Sequence, residues 1–125
     1  MEGAAAESKT VGDKITNIVT KKTIGKWTCL LIGGIKIAYY NGRYGNLDIN
    51  KSEGSLFWNS FSFDMPSNFF SSYPCVQTQC ELESGYAISL VLNPNSSKDK
   101  LNGWFYTNLS RTSVNPYIHL LCIGV

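Results

Sequence analysis

Residues 26–40 read Lys-Trp-Thr-Cys-Leu-Leu-Ile-Gly-Gly-Ile-Lys-Ile-Ala-Tyr-Tyr, two β-type runs separated by two glycines. A Gly-Gly pair between two such runs is a signal for a two-residue hairpin, so residues 26–32 and 35–40 are predicted to pair antiparallel. Similar short runs continue to Val125, broken about every eight to twelve residues by Gly, Pro, Asn or Ser. This rhythm predicts an all-β fold, an antiparallel β-sandwich of about seven strands.

The chain has 125 residues, of which 43% are hydrophobic, which suits one domain with a sizeable core. Residues 1–23 differ from the rest because they contain no aromatic residue, and the first ten look like a linker. Apolar residues then recur at helical spacing: Val11, Ile15, Ile18 and Val19. Residues 1–23 are therefore predicted to be a linker or stalk segment with a short amphipathic helix. The alternative is a frayed segment whose apolar residues pack on the domain body. Residues 24–125 are predicted to form the sandwich.

Several later runs indicate how the strands face. In residues 56–63 alternation puts Trp58 with Ser60 on one face and Phe61 with Phe63 on the other. Residues 75–83 and 86–93 flank Ser84-Gly85 and predict a second hairpin. The Pro-bearing connection 64–74 contains Phe69, Phe70 and Tyr73; an exposed aromatic loop would be a binding site, and a plug under the sandwich is the favoured alternative.

Composition argues against several partners. Eleven Lys and Arg against nine Asp and Glu leave a net charge of +2, too little for the basic patch that nucleic-acid binding requires. The longest apolar run, residues 29–32, is far short of the roughly 20 residues of a membrane-spanning helix. The first ten residues lack the features of a signal peptide. We therefore expect a soluble protein that is not exported by a signal peptide and does not insert into membranes.

The sequence offers little for catalysis. The only histidine, His119, lies three residues from Cys122, so on a strand the two point to opposite faces. The four cysteines include no Cys-x-x-Cys pair and are expected to be free thiols, with no metal site and no cofactor. Glu81 and Glu83 share a strand face about 6.6 Å apart along the chain, which leaves hydrolysis of a polysaccharide as a minor alternative. No catalytic residue is assigned, and the chain is expected not to be an enzyme.

Aromatic and amide side chains remain as the chemistry for recognition. Flat rings can stack on the CH-rich faces of sugars while polar neighbours bond the hydroxyls. The candidate ligand-binding residues are Tyr40, Tyr44, Trp58, Trp104 and Tyr106. The alternative for each is a place in the core or in the contact surface of an oligomer.

The order of these signals resembles a known module. Lys26-Trp27-Thr28-Cys29, the stretch 34–40, an aromatic strand, a Phe-rich stretch and the ending 111–124 (RTSVNPYIHLLCIG) occur in sequence. This is similar to the C-terminal module of tail-fibre and baseplate proteins from phages and prophages of Gram-positive bacteria. Two positions depart from that pattern: Tyr40-Asn41-Gly42 stands where a Trp-Gly pair is usual, and Val125 where an aromatic follows the final glycine.

The resemblance implies a homotrimer at the tip of a virion tail, shaped like an H-type lectin, that recognises a bacterial cell-surface polysaccharide. The helix upstream would then be the end of a trimeric stalk. The resemblance also implies synthesis in the bacterial cytoplasm and release by lysis, which agrees with the missing signal peptide. A structural alternative is a domain that only trimerises and caps the fibre.

Overall fold

The computed structural model describes residues 19–82 and 87–125. These residues form eleven strands, in chain order β1 (Val19–Ile24), β2 (Trp27–Ile32), β3 (Ile35–Arg43), β4 (Leu47–Ile49), β5 (Lys51–Glu53), β6 (Leu56–Asp64), β7 (Cys75–Glu81), β8 (Ile88–Leu92), β9 (Lys100–Thr107), β10 (Arg111–Val114) and β11 (Tyr117–Gly124). Within the described ranges, no helix has the length and apolarity needed to cross a lipid bilayer.

The strands build two main sheets and a small ribbon. A five-stranded sheet has the order β1-β2-β3-β11-β7, and a four-stranded sheet has the order β5-β6-β9-β8. The ribbon pairs β10 with β4. Every pairing is antiparallel. The arrangement is a β-sandwich, which confirms the predicted fold class.

Two glycine turns start the five-stranded sheet. The predicted Gly33-Gly34 hairpin is confirmed, with Ile32 opposite Ile35 and Gly33 at a φ of 60°. A second tight turn at Gly25 pairs β1 with β2, so β1 crosses the boundary expected at residue 23. Val19 is in this strand, and its assignment to a helix is wrong because strand pairing with β2 overrides the local helical spacing. The rest of the predicted helix lies outside the described residues.

Alternation along the strands fills the core between the two sheets. On β6 the rings of Phe61 and Phe63 are buried while Ser60 and Ser62 face solvent, as predicted. Phe105 of β9 packs edge-on against Phe61 with ring centroids 5.4 Å apart. The fully buried members of this core include Trp27, Cys29, Ala38, Ile49, Phe61, Leu101, Phe105, Ile118, Leu120 and Cys122.

The connection between β6 and β7 carries the predicted aromatic plug. Phe69 and Phe70 are 4% and 3% exposed, and their rings lie 4.9 Å apart. Lys36 donates a hydrogen bond from Nζ to the carbonyl oxygen of Phe69 at 2.7 Å. The plug is therefore confirmed for these two rings, whereas Tyr73 remains exposed.

The predicted second hairpin is wrong in its pairing. β7 pairs with β11 in the five-stranded sheet, and β8 pairs with β9 in the four-stranded sheet. One hydrogen bond joins the two strands, from Thr78 Oγ1 to the carbonyl oxygen of Leu90 at 3.3 Å. The chain therefore changes sheets here, because β7 covers the edge of β11 that β3 leaves open and β8 covers the edge of β9 that β6 leaves open. Short strands such as β4, β5 and β10 raise the number above the seven expected.

Candidate functional site

The outer face of the four-stranded sheet carries three large aromatic side chains. Because Phe61 and Phe105 point into the core, the alternate residues Trp58, Trp104 and Tyr106 point outward. Trp58 lies directly opposite Tyr106 in the ladder between β6 and β9, and Trp104 lies opposite Ser60. We call these three half-buried residues the aromatic platform.

Small polar residues and one cation border the aromatic platform, together with two exposed apolar side chains, Val91 opposite Trp104 and Leu56. Ser89 lies opposite Tyr106 on β8, and Ser62 lies opposite Asn102 in the next row of the ladder. Lys51 Nζ is 4.8 Å from the centroid of the Trp58 ring, within the range of a cation–π contact. The serines are short, so hydroxyl groups stand beside the rings without covering them.

The polar tips of the platform have no partner among the residues that the structure describes. Among residues 19–82 and 87–125, no hydrogen bond engages Trp58 Nε1, Trp104 Nε1 or the Tyr106 hydroxyl. The buried Trp27 differs, since its Nε1 donates to the carbonyl oxygen of Asp64 at 2.7 Å. Ring nitrogens and phenols in the interior normally find partners of this kind. The platform therefore offers both ring surface and unused donors to a ligand.

Two of the five predicted residues lie elsewhere. Tyr40 shares the inner face of β3 with the buried Ala38, and its ring centroid is 4.9 Å from that of Phe63. Tyr44 packs edge-on against Phe105 at 5.0 Å, and its hydroxyl both donates to and accepts from the backbone of Ser62. These contacts make Tyr40 and Tyr44 part of the margin of the core, and the structure does not bring them together with the platform.

His119 has structural partners on the outer face of the five-stranded sheet. Its Nδ1 lies 2.8 Å from Asn41 Oδ1, and its Nε2 lies 3.4 Å from Glu81 Oε1. Cys122 points to the opposite side and is fully buried, so the two side chains form no dyad, as predicted. The second acid considered for hydrolysis, Glu83, lies outside the described residues.

The cysteines are free thiols. Burial raises the pKa of the Cys122 thiol to about 12 and the pKa of the Cys80 thiol to about 12. Both are therefore protonated at neutral pH and are poor nucleophiles. In the part of the chain that the structure describes, no group of three His, Cys, Asp or Glu side chains is arranged to hold a metal ion.

A second surface was missed by reasoning from the sequence. On the outer face of the five-stranded sheet, apolar side chains from four strands lie side by side in the ladder registers. We call them the apolar face: Val19, Leu30, Ile32, Ile35, Ile37, Tyr39, Leu121 and Ile123. The sequence feature that could have revealed this face is the continuous apolar run of residues 29–32. A strand with apolar residues on both sides is typically covered by other protein on both sides.

The chain matches no protein-family model and no curated protein. Among solved structures it is similar to the R1 pyocin fibre of P. aeruginosa, in a structure comprising its C-terminal residues 323–701. The identity is 12% and the TM-score 0.47, over 86% of this chain and 28% of that chain. The chain thus spans less than a third of that fibre chain, and a likeness at this level carries no functional argument.

Proposed function

We propose that the chain is a non-enzymatic recognition domain at the end of a phage tail fibre or baseplate protein, where it binds host cell-surface glycan as a homotrimer. The observation that carries the recognition role is the aromatic platform. The tail location rests on the sequence motifs in residues 26–40 and 111–124, which resemble those of phage tail modules.

The chemistry of the platform suits a sugar chain. Two indole rings and one phenol lie on adjacent strands about 4.8 Å apart, in rows about 7 Å apart along the strands. Such a surface can stack against the apolar faces of neighbouring sugar units. The hydroxyls of Ser60, Ser62 and Ser89 stand where they can bond sugar hydroxyls. An exposed surface of this kind gives weak binding per site.

The apolar face supports the homotrimer. Soluble monomers rarely leave a contiguous apolar patch of this kind in water, and such patches usually mark a contact with another molecule. Repetition of the domain would multiply a weak affinity for glycan through effective concentration. The apolar face and the aromatic platform belong to opposite outer faces of the sandwich, so self-association leaves the platform open.

A glycan array probed with the purified chain tests the recognition role. We expect binding to bacterial surface polysaccharides that Trp58→Ala and Trp104→Ala each weaken by about tenfold, because each removes a stacking ring. The matched control is Tyr73→Ala, which removes a 44% exposed ring outside the platform. Thermal unfolding of each variant shows whether the fold is retained.

Other outcomes would favour other functions. A folded oligomer that binds no glycan would leave the capping domain as the function. Release of reducing ends from a bound polysaccharide, lost in Glu81→Gln, would make the chain a hydrolase. Unchanged glycan binding in both tryptophan variants would mean that the platform is not the glycan-binding surface.

A further inference from the structure

A cleft with two lysines lies at the Asp64 end of β6, beyond the aromatic platform along the strand. Its volume is about 600 Å³, within the range of sites that take small ligands. It lies where the turn between β1 and β2, the loop between β3 and β4, and the end of β6 meet. We call it the lysine cleft; it is lined by Tyr44, one of the predicted ligand-binding residues, and by the polar residues Lys26, Asn46, Ser62, Asp64, Ser67 and Lys100.

The ladder between β6 and β9 connects the platform to the cleft. Outward-facing pairs of the ladder between β6 and β9 run from Trp58 and Tyr106 to the pair Asp64 and Lys100, which lines the cleft. Six residues of extended strand separate Trp58 from Asp64, a span of roughly 20 Å. A ligand made of several linked units can therefore touch both surfaces at once.

The charged side chains of the cleft form no ion pair with any other residue that the structure describes. Among residues 19–82 and 87–125, neither Lys26 nor Lys100 forms an ion pair, although Asp64 lies opposite Lys100 in the ladder. Lys26 Nζ is 5.7 Å from the ring centroid of Phe63, which forms part of the floor. Two ammonium groups against one carboxylate leave the cleft with a positive excess. A neutral sugar has no negative charge that could pair with the excess positive charge of the cleft.

We propose that the lysine cleft binds the anionic group of an acidic glycan, a sugar unit bearing a carboxylate or a phosphate, while the aromatic platform stacks the units next to it. Lys26 and Lys100 pair with the anionic group. The Asp64 carboxylate accepts hydrogen bonds from sugar hydroxyls, and Asn46 and Ser67 add further polar contacts. This ligand class deepens the proposed function and rests on it.

Chemical-shift titration of the ¹⁵N-labelled full chain tests the proposal with matched probes. Galacturonate is compared with galactose, and glucose 6-phosphate with glucose, at equal millimolar concentrations. We expect an acidic probe to shift backbone amides that line the cleft, Gly25 and Gly45 among them, and its neutral counterpart to leave them in place. A response to galacturonate alone identifies a carboxylate, and a response to glucose 6-phosphate alone identifies a phosphate. Added salt should weaken the response.

Variants localise the effect. Lys26→Gln with Lys100→Gln should weaken binding of the acidic probe by about tenfold, because both cations are removed. The matched control is Lys98→Gln, which removes an exposed cation outside the cleft that is paired with Asp99 at 3.6 Å; it should change binding by less than about twofold. The amide spectrum of each variant reports whether the fold is retained.

The possible failures are distinguishable. Equal responses to acidic and neutral probes, or equal losses in the Lys98→Gln control, overturn the inference. If array binding depends on Trp104 but ignores ligand charge and both cleft lysines, the proposed function stands and this inference falls. If acidic probes occupy the cleft while no polysaccharide needs the platform, the proposed function falls instead.

Discussion

Two lysine substitutions on the apolar face should separate the copies of this chain. Leu121 and Ile123 project from β11 into the apolar face and are 37% and 45% exposed. Replacing both, Leu121→Lys with Ile123→Lys, puts two ammonium groups into the surface that we expect copies of the chain to share. The fold itself should tolerate the change, since both side chains already reach solvent.

The exposed fractions give the magnitude. Ile35 and Val19 are 51% and 44% exposed, so with Leu121 and Ile123 they leave a little under two whole aliphatic side chains in water. Full burial of one such side chain is worth about 1.5–3 kcal/mol, so covering these four contributes roughly 3–5 kcal/mol per protomer. The double substitution removes nearly half of that. It also imposes the cost of desolvating two charges, several kcal/mol each when they are unpaired.

Light scattering on the purified chain measures the outcome. We expect a trimer for the natural sequence and a monomer for the double variant. The control is Leu109→Lys, which adds the same charge at a residue that is 51% exposed and lies outside the apolar face; it should stay trimeric. A double variant as large as the natural protein, or a natural protein that is monomeric at working concentration, would refute the reasoning.

Three further measurements test the packing. Thiol labelling of the native chain should modify the exposed Cys75 and spare the buried Cys122. Because Cys75 lies opposite Ile123 of the apolar face, the rate at which Cys75 is labelled should fall as trimers form. Burial raises the pKa of the Cys122 thiol from 9.0 to about 12, so with rising pH this thiol ionises in the unfolded chain before it ionises in the folded one. The free energy of unfolding, measured with urea, should therefore be constant below about pH 9 and fall from there towards pH 12. Gly103→Ala should cost about 1–3 kcal/mol in the same assay, because the added Cβ overlaps the carbonyl oxygen of Val91 in β8, whereas Gly34→Ala meets open space and should change little.

Local signals were enough for parts of the fold. The Gly33-Gly34 turn fixes the register of β2 and β3 through two residues, so neighbours in sequence determine it. The alternation of serines with Phe61 and Phe63 likewise needs only the period of a strand. The partners of β7 and β8 were not predictable in this way, because the ladders that hold them come from β11 and β9, which follow both strands in the chain.

The aromatic platform was predictable only in part. Alternation groups Trp104 with Tyr106 on one side of a strand, but it does not say which side faces water. Burial decides that, and it depends on the other sheet. Tyr40 illustrates the difficulty, since it is as aromatic as the platform residues yet lies on the inner side of β3 beside Trp27 and Phe63. A tyrosine can serve either side, because its ring is apolar and its hydroxyl can bond the backbone, as that of Tyr40 does with Arg43.

The two outer faces of the sandwich divide two kinds of chemistry between them. Next to the aromatic platform, besides the apolar Val91 and Leu56, stand hydroxyls and a cation, groups that keep their hydration until a polar ligand replaces the water. On the apolar face the side chains of Ile35, Ile37 and Leu121 leave little for a hydrated ligand to bond, and a protein surface is the better partner. A single face with both functions would force the glycan and the neighbouring copy to compete. Because the faces lie on opposite sheets, the proposed self-association would add a platform with each copy without covering one, and avidity for glycan would grow with assembly.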